Sequence, residues 1–157
     1  MKTLVLGLGN PILSDDGVGI RVAREVAGQV RDPQVTVAES SGAGLSLLDS
    51  IAGYDRLVIV DAIQTKEGSV GQIYRLGLED FALTRYFSSP HQLNLATTLE
   101  LGKTLGLSMP QELTIFAVEA KDVSTFSEQC TPEIERVIPE VVEMVLHELG
   151  VRNSKQG

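Results

Sequence analysis

MKTLVLGLGNPILSDDGVG forms residues 1–19, and the rest of the chain is arranged around it. The apolar run Leu4-Val5-Leu6 ends in glycines, and this pattern predicts a buried strand that opens into a tight loop. The loop brings two adjacent carboxylates, Asp15 and Asp16. From Gly17 onward, apolar residues recur at helical spacing as far as residue 30. We therefore expect both carboxylates where a strand leads into a helix, the usual site position in α/β proteins.

Apolar runs and helical periods alternate along the remaining chain. Strands are predicted at 35–38, 57–60, 72–76 and 113–118, and helices at 45–51, 90–106 and 131–150. The run at 72–76 follows a short turn and is expected to pair antiparallel at a sheet edge, and 77–87 is expected to be a loop or a short helix. Pro139 is expected to kink or delay the last helix.

This alternation predicts a three-layer α/β/α sandwich with a five-stranded, twisted, mostly parallel sheet and one antiparallel edge strand. Residues 1–150 are expected to form a single domain. Residues 151–157 are expected to form a polar, frayed tail.

Composition restricts the classes of protein that the chain can belong to. A net charge of −8 disfavours nucleic-acid binding, which depends on Lys and Arg, and permits a basic partner or a cation. The single cysteine, Cys130, excludes an internal disulfide or a cysteine-rich zinc site. No apolar run approaches the length of a membrane span, and glycines interrupt the N-terminal run, which argues against a signal peptide. We expect a soluble, cytoplasmic protein.

Two alternatives for the opening loop are rejected. A dinucleotide fingerprint needs a third glycine where this chain has Ile12, and paired aspartates would repel a pyrophosphate. The sequence GLGNP also opens peptidyl-tRNA hydrolases, but their Arg-His-Asn segment is absent here.

The remaining constellation is Asp16, Asp61 and His91. Asp61 and the opening loop both follow predicted parallel strands, whose carboxyl ends share one edge of the sheet. His91 is expected in the first turn of a helix, where the dipole favours a neutral imidazole. Two carboxylates and an imidazole suit a divalent first-row ion. The alternative is ordinary: Asp15 and Asp16 could cap a helix, Asp61 could cap the following segment, and His91 could be solvated. We expect Asp15 to serve the turn and the helix cap, and Asp16 to reach the metal. Cys130 is expected to be a small, partly buried apolar residue, and His147 to be solvated or to interact with the C-terminal dipole of its helix.

Three motifs in order resemble those of the hydrogenase maturation endopeptidases: GNPILSDDGVG, VIVDAI with Asp61, and SPHQL with His91. The resemblance extends from Met1 to about Gly150. It implies a five-stranded twisted α/β sandwich that removes a C-terminal extension from the large-subunit precursor of a [NiFe] hydrogenase after nickel insertion. By motif, Asp16, Asp61 and His91 would be the catalytic and metal-contacting residues.

The resemblance also implies a substrate-binding surface that includes Gly9, Asn10, Glu39 and Gly42. This chain departs from the family pattern at Glu39-Ser40-Ser41, where an Asp-Gly-Gly-like turn is common, and at Glu119-Ala120, where Glu-Pro is frequent. We expect both departures to affect the identity of the substrate more than the activity.

The expected ligand set would hold nickel weakly, because it contains one imidazole and no thiolate. We therefore expect the precursor to supply the nickel, while cadmium or zinc could also occupy the site. We further expect a monomer that binds neither nucleic acid nor membranes. The non-enzymatic alternative is a nickel checkpoint or chaperone for the hydrogenase precursor.

Overall fold

The computed structural model describes residues 1–42, 44–80, 83–88 and 90–150, and of Gly44, Pro90 and His91 it describes the backbone alone. The expected tail at 151–157 lies outside the described residues. The elements in chain order are β1 Thr3–Leu8, a 3-10 turn Ser14–Gly17, α1 Val18–Ala27, β2 Val35–Ser40, α2 Gly44–Ile51, β3 Arg56–Ile63, β4 Ile73–Gly77, α3 Leu83–Phe87, α4 Pro90–Thr104, β5 Glu112–Glu119 and α5 Pro132–Glu148.

Five strands form one sheet in the order β2-β1-β3-β5-β4. Strands β2, β1, β3 and β5 run parallel, and β4 pairs antiparallel with β5 at the edge. The predicted three-layer sandwich with a mostly parallel sheet is confirmed, including the antiparallel edge strand. None of the helices in the described ranges is long and apolar enough to cross a membrane.

Alternate residues of the central strands point to opposite layers, as the two-residue period of a strand requires. One face, which we call the valine face, packs against α1 and α5 and carries Val5, Val58, Val60 and Val118. The other, which we call the leucine face, packs against α2, α3 and α4 and carries Leu4, Leu6, Leu57 and Ile59. The sheet is thus buried on both sides, which explains its continuous apolar runs.

The backbone of helix α1 lies in direct contact with the backbone of the sheet at two glycines, Gly7 and Gly19. A Cβ atom added to Gly19 would lie 2.2 Å from the carbonyl oxygen of Val60, and one added to Gly7 would lie 2.4 Å from the carbonyl oxygen of Gly19. No side chain fits at these contacts. The close approach fixes the start of α1 over β1 and β3, and with it the loop that precedes the helix.

Two predicted boundaries were wrong, those at the end of α1 and at the end of β3. A 3-10 turn precedes α1, and the helix ends at Ala27 because Gly28, a poor helix former, follows. Strand β3 continues to Ile63, so Asp61 lies inside the strand and not at its end. Helix α5 begins at Pro132, as the Thr131-Pro132 start predicts, and runs through Pro139, so the delay expected at that proline is wrong.

Candidate functional site

A cleft of about 520 Å³ opens at the carboxyl ends of the parallel strands. It lies between the opening loop (residues 9–17), the turn after β2, the end of β3 and the start of α4. Its lining residues are Gly9, Asn10, Leu13, Asp16, Ser41, Ala62, Ile63, Gln64, Gln92 and Val123. The cleft therefore occupies the edge of the sheet at which the sequence predicts a site.

The opening loop presents Asp16 to this cleft. Gly9 has a φ of +138°, and a Cβ atom there would lie 2.0 Å from the backbone oxygen of Asp16. The Asp16 carboxylate accepts a hydrogen bond from the backbone N–H of Asn10 through Oδ2, at 2.9 Å. Its Oδ1 has no hydrogen-bond partner among the described residues. Asp16 therefore keeps one carboxylate oxygen available for a ligand.

Asp15 has a different environment, although it is the next residue. It is fully buried and accepts hydrogen bonds from the backbone N–H groups of Lys121, Asp122 and Thr131 at 2.7–3.0 Å. The Thr131 hydroxyl also contacts both carboxylate oxygens, at 3.0 and 2.9 Å. Asp15 thus fastens the opening loop to residues 121–131, which we call the closing segment.

The interpretation of Asp15 as a helix cap is wrong. Gly17 occupies the N-cap position of α1, and no side chain caps that helix or the preceding 3-10 turn. Backbone contacts add to the connection, since Ser14 donates to Ser127 and Ser127 donates to Ile12, both at 2.9 Å. The opening loop is therefore held by distant residues and not by the helix that follows it.

Asp61 lies beneath the cleft. It has the same strand parity as Leu57 and Ile59, so its side chain enters the layer formed by α3 and α4. It is fully buried, and its Oδ2 accepts hydrogen bonds from the Tyr86 hydroxyl at 2.8 Å and from Gln92 Nε2 at 3.1 Å. Its Oδ1 accepts from the backbone N–H of Ala62 at 2.9 Å. These donors compensate for removing the carboxylate from water.

Tyr86 remains a hydrogen-bond donor over the whole physiological range. Burial raises the pKa of Tyr86 well above its usual range, and the charge of Asp61 and the hydrogen bond between them raise it further. Neither Tyr86 nor Gln92 is among the site residues predicted from the sequence. Gln92 directly follows His91, a predicted ligand, and this position is a signal from which it could have been found. Tyr86 lies in a stretch without clear periodicity, so no signal in the sequence points to it.

His91 lies in the first turn of α4, as predicted from the Ser-Pro start. Its side chain lies outside what the structure describes. Its role as a ligand or a catalytic residue therefore stays a prediction.

The predicted substrate-binding residues do not all face the cleft. Gly9 and Asn10 line it. Glu39 forms an ion pair with Arg24, with N–O distances of 2.9 and 3.1 Å, and is not among the lining residues. Gly42 is buried, with a φ of +80°, and the neighbouring Ser41 lines the cleft instead.

The Glu119-Ala120 departure lies beside the cleft, and neither residue is among those that line it. Glu119 is buried and accepts hydrogen bonds from the N–H and hydroxyl of Thr65, at 2.7 and 2.6 Å, and from the Tyr74 hydroxyl at 2.9 Å. The N–H of Ala120 donates to Ile63 at 2.8 Å, a bond that proline cannot make. Alanine in place of proline at residue 120 therefore connects the residue after β5 to Ile63, which lines the cleft.

Neither of the other two reactive side chains belongs to the cleft. Cys130 is buried, and burial, together with the charges of Asp15 and Glu135, raises the pKa of its thiol to about 11. The thiol therefore stays protonated and is a poor nucleophile. His147 is exposed on α5 and lines a separate depression with Arg75 and Glu148.

Within the described residues, no three His, Cys, Asp or Glu side chains are grouped so that they could hold a metal ion. The His91 side chain is not among these residues. The donor chemistry of Asp16 and Asp61 fits a divalent first-row ion if a further ligand is supplied.

Comparisons with known proteins agree with this architecture. A family model described as hydrogenase maturation protease matches residues 20–148. The hydrogenase 2 maturation protease of Escherichia coli is 34% identical over 148 residues, which cover 93% of this chain and 89% of that protein. The hydrogenase maturating endopeptidase HybD of Escherichia coli superposes with a TM-score of 0.83 at 33% identity, covering 95% of this chain and 92% of that one.

A more distant structure, the [NiFe] hydrogenase maturation protease HybD of Thermococcus kodakarensis, shares the fold. Its TM-score is 0.76 at 22% identity, over 94% of this chain and 98% of that chain. The family match and the similarity to the Escherichia coli protease extend over most of the sequence. The chain therefore belongs to the hydrogenase maturation protease family.

Proposed function

We propose that this chain is the endopeptidase that removes the C-terminal extension from the large-subunit precursor of a [NiFe] hydrogenase after nickel has been inserted. The observation that carries the proposal is the cleft at the carboxyl ends of β1 and β3, with Asp16 on its rim and Asp61 beneath it. The cleft has a volume of about 520 Å³ and is partly open to solvent, which suits the binding of a peptide segment. Membership in a family of maturation proteases supports the same activity.

Nickel enters this proposal as part of the substrate. Asp16 Oδ1, Asp61 and His91 would contact the ion already held by the precursor, so that only a loaded precursor positions its tail correctly. At the scissile bond, nickel would polarise the carbonyl group or lower the pKa of an attacking water. If Asp16 does not contact the nickel, it is suited to act as the general base, since one of its carboxylate oxygens is available and the residue is only partly buried.

Asp61 is suited to an electrostatic role. Its charge is fixed beneath the cleft by two side-chain donors on α3 and α4, so its orientation does not depend on bound substrate. A preorganised negative charge of this kind can attract a cation without rearrangement during the reaction. The Tyr86 and Gln92 hydrogen bonds therefore serve to position Asp61.

The decisive experiment incubates the purified protein alone with nickel-loaded precursor and follows the precursor by intact-mass spectrometry. Loss of the mass of the C-terminal tail supports the endopeptidase, whereas a stable complex of unchanged mass supports the chaperone alternative. Nickel-free precursor is the matched control and should remain uncut. Asp16→Asn and His91→Ala should each abolish cleavage, and full activity in both variants would refute the site assignment.

The source of the nickel is tested separately. The protein is dialysed extensively and its metal content is measured by mass spectrometry. Stoichiometric nickel after dialysis would contradict the idea that the precursor supplies the ion.

A further inference from the structure

Gln92 has an amide whose orientation is determined by its neighbours. The side chain is 4% exposed, and its Nε2 donates to Asp61 Oδ2 and to the carbonyl oxygen of Ala62, both at 3.1 Å. Both partners are acceptors, so a rotated amide would direct its oxygen at two other oxygens. The Oε1 atom must therefore point away from Asp61.

Gln92 Oε1 is buried and has no hydrogen-bond partner in the described part of the chain. Buried polar atoms without a partner are rare in native proteins and destabilise the fold unless something else satisfies them. The same side chain lines the cleft. Its two known hydrogen bonds are thus both made by Nε2, whereas its acceptor oxygen has no partner among the described residues, on a side chain that borders the place where substrate is expected.

We propose that Gln92 Oε1 accepts a hydrogen bond from a backbone N–H of the precursor segment in the cleft. An extended peptide carries a strong donor at almost every residue, and such a donor would satisfy the buried oxygen. Gln92 then contacts the substrate through one end of its amide and positions Asp61 through the other. This inference rests on the proposed precursor substrate and names a contact that aligns the peptide with the site.

The test replaces backbone N–H groups of the precursor by ester oxygens, one at a time, at the residues that flank the cleavage site. The dissociation constant of each nickel-loaded precursor is measured with the wild-type protein and with Gln92→Met, and kcat/KM is measured in parallel. We expect one ester position to weaken binding to the wild type by about tenfold, the loss typical of one buried hydrogen bond. The same ester should weaken binding to Gln92→Met by less than about twofold.

Gln64→Met is the matched control, because Gln64 also lines the cleft but is exposed, with only a long contact of 3.5 Å from its Nε2 to the Lys121 carbonyl. The tenfold ester effect should persist in this variant. If Gln92→Met folds poorly, Gln92→Asn gives the same comparison, because it retains an amide but shortens the side chain.

The outcomes separate this inference from the proposed function. Binding without any mass loss would refute the endopeptidase, while the ester comparison would still decide the role of Gln92. Equal ester effects in the wild type and in Gln92→Met, at every position, would overturn the proposed contact and indicate that Oε1 binds water only. No binding of precursor at all would overturn both.

Discussion

Asp15 and Asp16 are neighbours, and replacing each by asparagine should affect a different property of the protein: stability at Asp15 and activity at Asp16. Replacing either carboxylate by the amide of asparagine changes its size very little. Asp15 is fully buried and accepts from three backbone N–H groups and one hydroxyl. Asp16 is partly buried and accepts from one N–H group. We expect Asp15→Asn to destabilise the fold and Asp16→Asn to remove the activity.

The magnitude follows from the geometry around Asp15. If the new NH₂ group replaces Oδ2, it meets the N–H groups of Lys121 and Asp122, and if it replaces Oδ1, it meets that of Thr131. Each buried hydrogen bond to a charged group contributes about 1.5–3 kcal/mol. Losing at least one such bond, and leaving its donor facing another donor, should lower the free energy of unfolding by about 3–5 kcal/mol. For a chain of this size, that lowers Tm by roughly 10 °C.

Asp16→Asn should lower the free energy of unfolding by less than about 1 kcal/mol, because the amide oxygen can still accept from Asn10. The assay is urea unfolding followed by circular dichroism, with cleavage of nickel-loaded precursor measured on the same preparations. We expect Asp16→Asn to unfold at nearly the same urea concentration as the wild type and to leave the precursor uncut.

Two results would contradict this reasoning. A shift below about 1 kcal/mol in Asp15→Asn would mean that its buried hydrogen bonds do not hold the opening loop. A larger loss of stability in Asp16→Asn than in Asp15→Asn would reverse the roles assigned to the two residues.

Three further predictions concern the loops and the cysteine. Gly9→Ala should lower the free energy of unfolding by about 2 kcal/mol or more and abolish cleavage, because the new Cβ atom would lie 2.0 Å from the backbone oxygen of Asp16. The control is Gly53→Ala, where φ is +90° but the space around the residue is open. It should lower the free energy of unfolding by only about 1 kcal/mol in the same urea titration. Cys130 should resist iodoacetamide at neutral pH in the folded protein because its thiol pKa is about 11, and should react only after unfolding; labelling of the native protein, detected by mass, would refute this. Hydrogen bonds from Thr125 and Ser124 lower the pKa of Asp122 from 3.8 to about 2, so its contribution to stability is present above pH 3.8 and is lost as the pH falls through 2. A carboxyl titration by NMR measures this directly, and an unshifted midpoint would contradict it.

The sequence predicts the fold well because the information needed for the fold is local. Continuous apolar runs indicate strands buried on both faces, and the short turn before residue 72 indicates the antiparallel edge strand. Even the direction of Asp61 follows from its parity with Leu57 and Ile59.

The site is less predictable because its contacts are distant in sequence. Asp15 and Asp16 are chemically identical neighbours, and what distinguishes them is a set of partners that lie 106 to 116 residues from Asp15. Tyr86 reaches Asp61 only because α3 folds over the leucine face, and residues 77–87 carry no periodicity from which this could be inferred. A one-dimensional pattern cannot supply either contact.

The hydrogen bonds between Asp15 and Thr131 also affect how early the opening loop can reach its final position while the chain is being synthesised. Contacts between residues so far apart form late in folding, since the chain between them must first be ordered. At about 5–20 residues per second, the ribosome needs on the order of ten seconds to advance from Asp15 to Thr131. Until then the nascent chain already contains β1 and Asp16, but it lacks the residues of the closing segment that bind Asp15. The contacts that hold the opening loop are therefore among the last to form, and a chain that ends before Lys121 lacks all of the Asp15 hydrogen bonds to the closing segment.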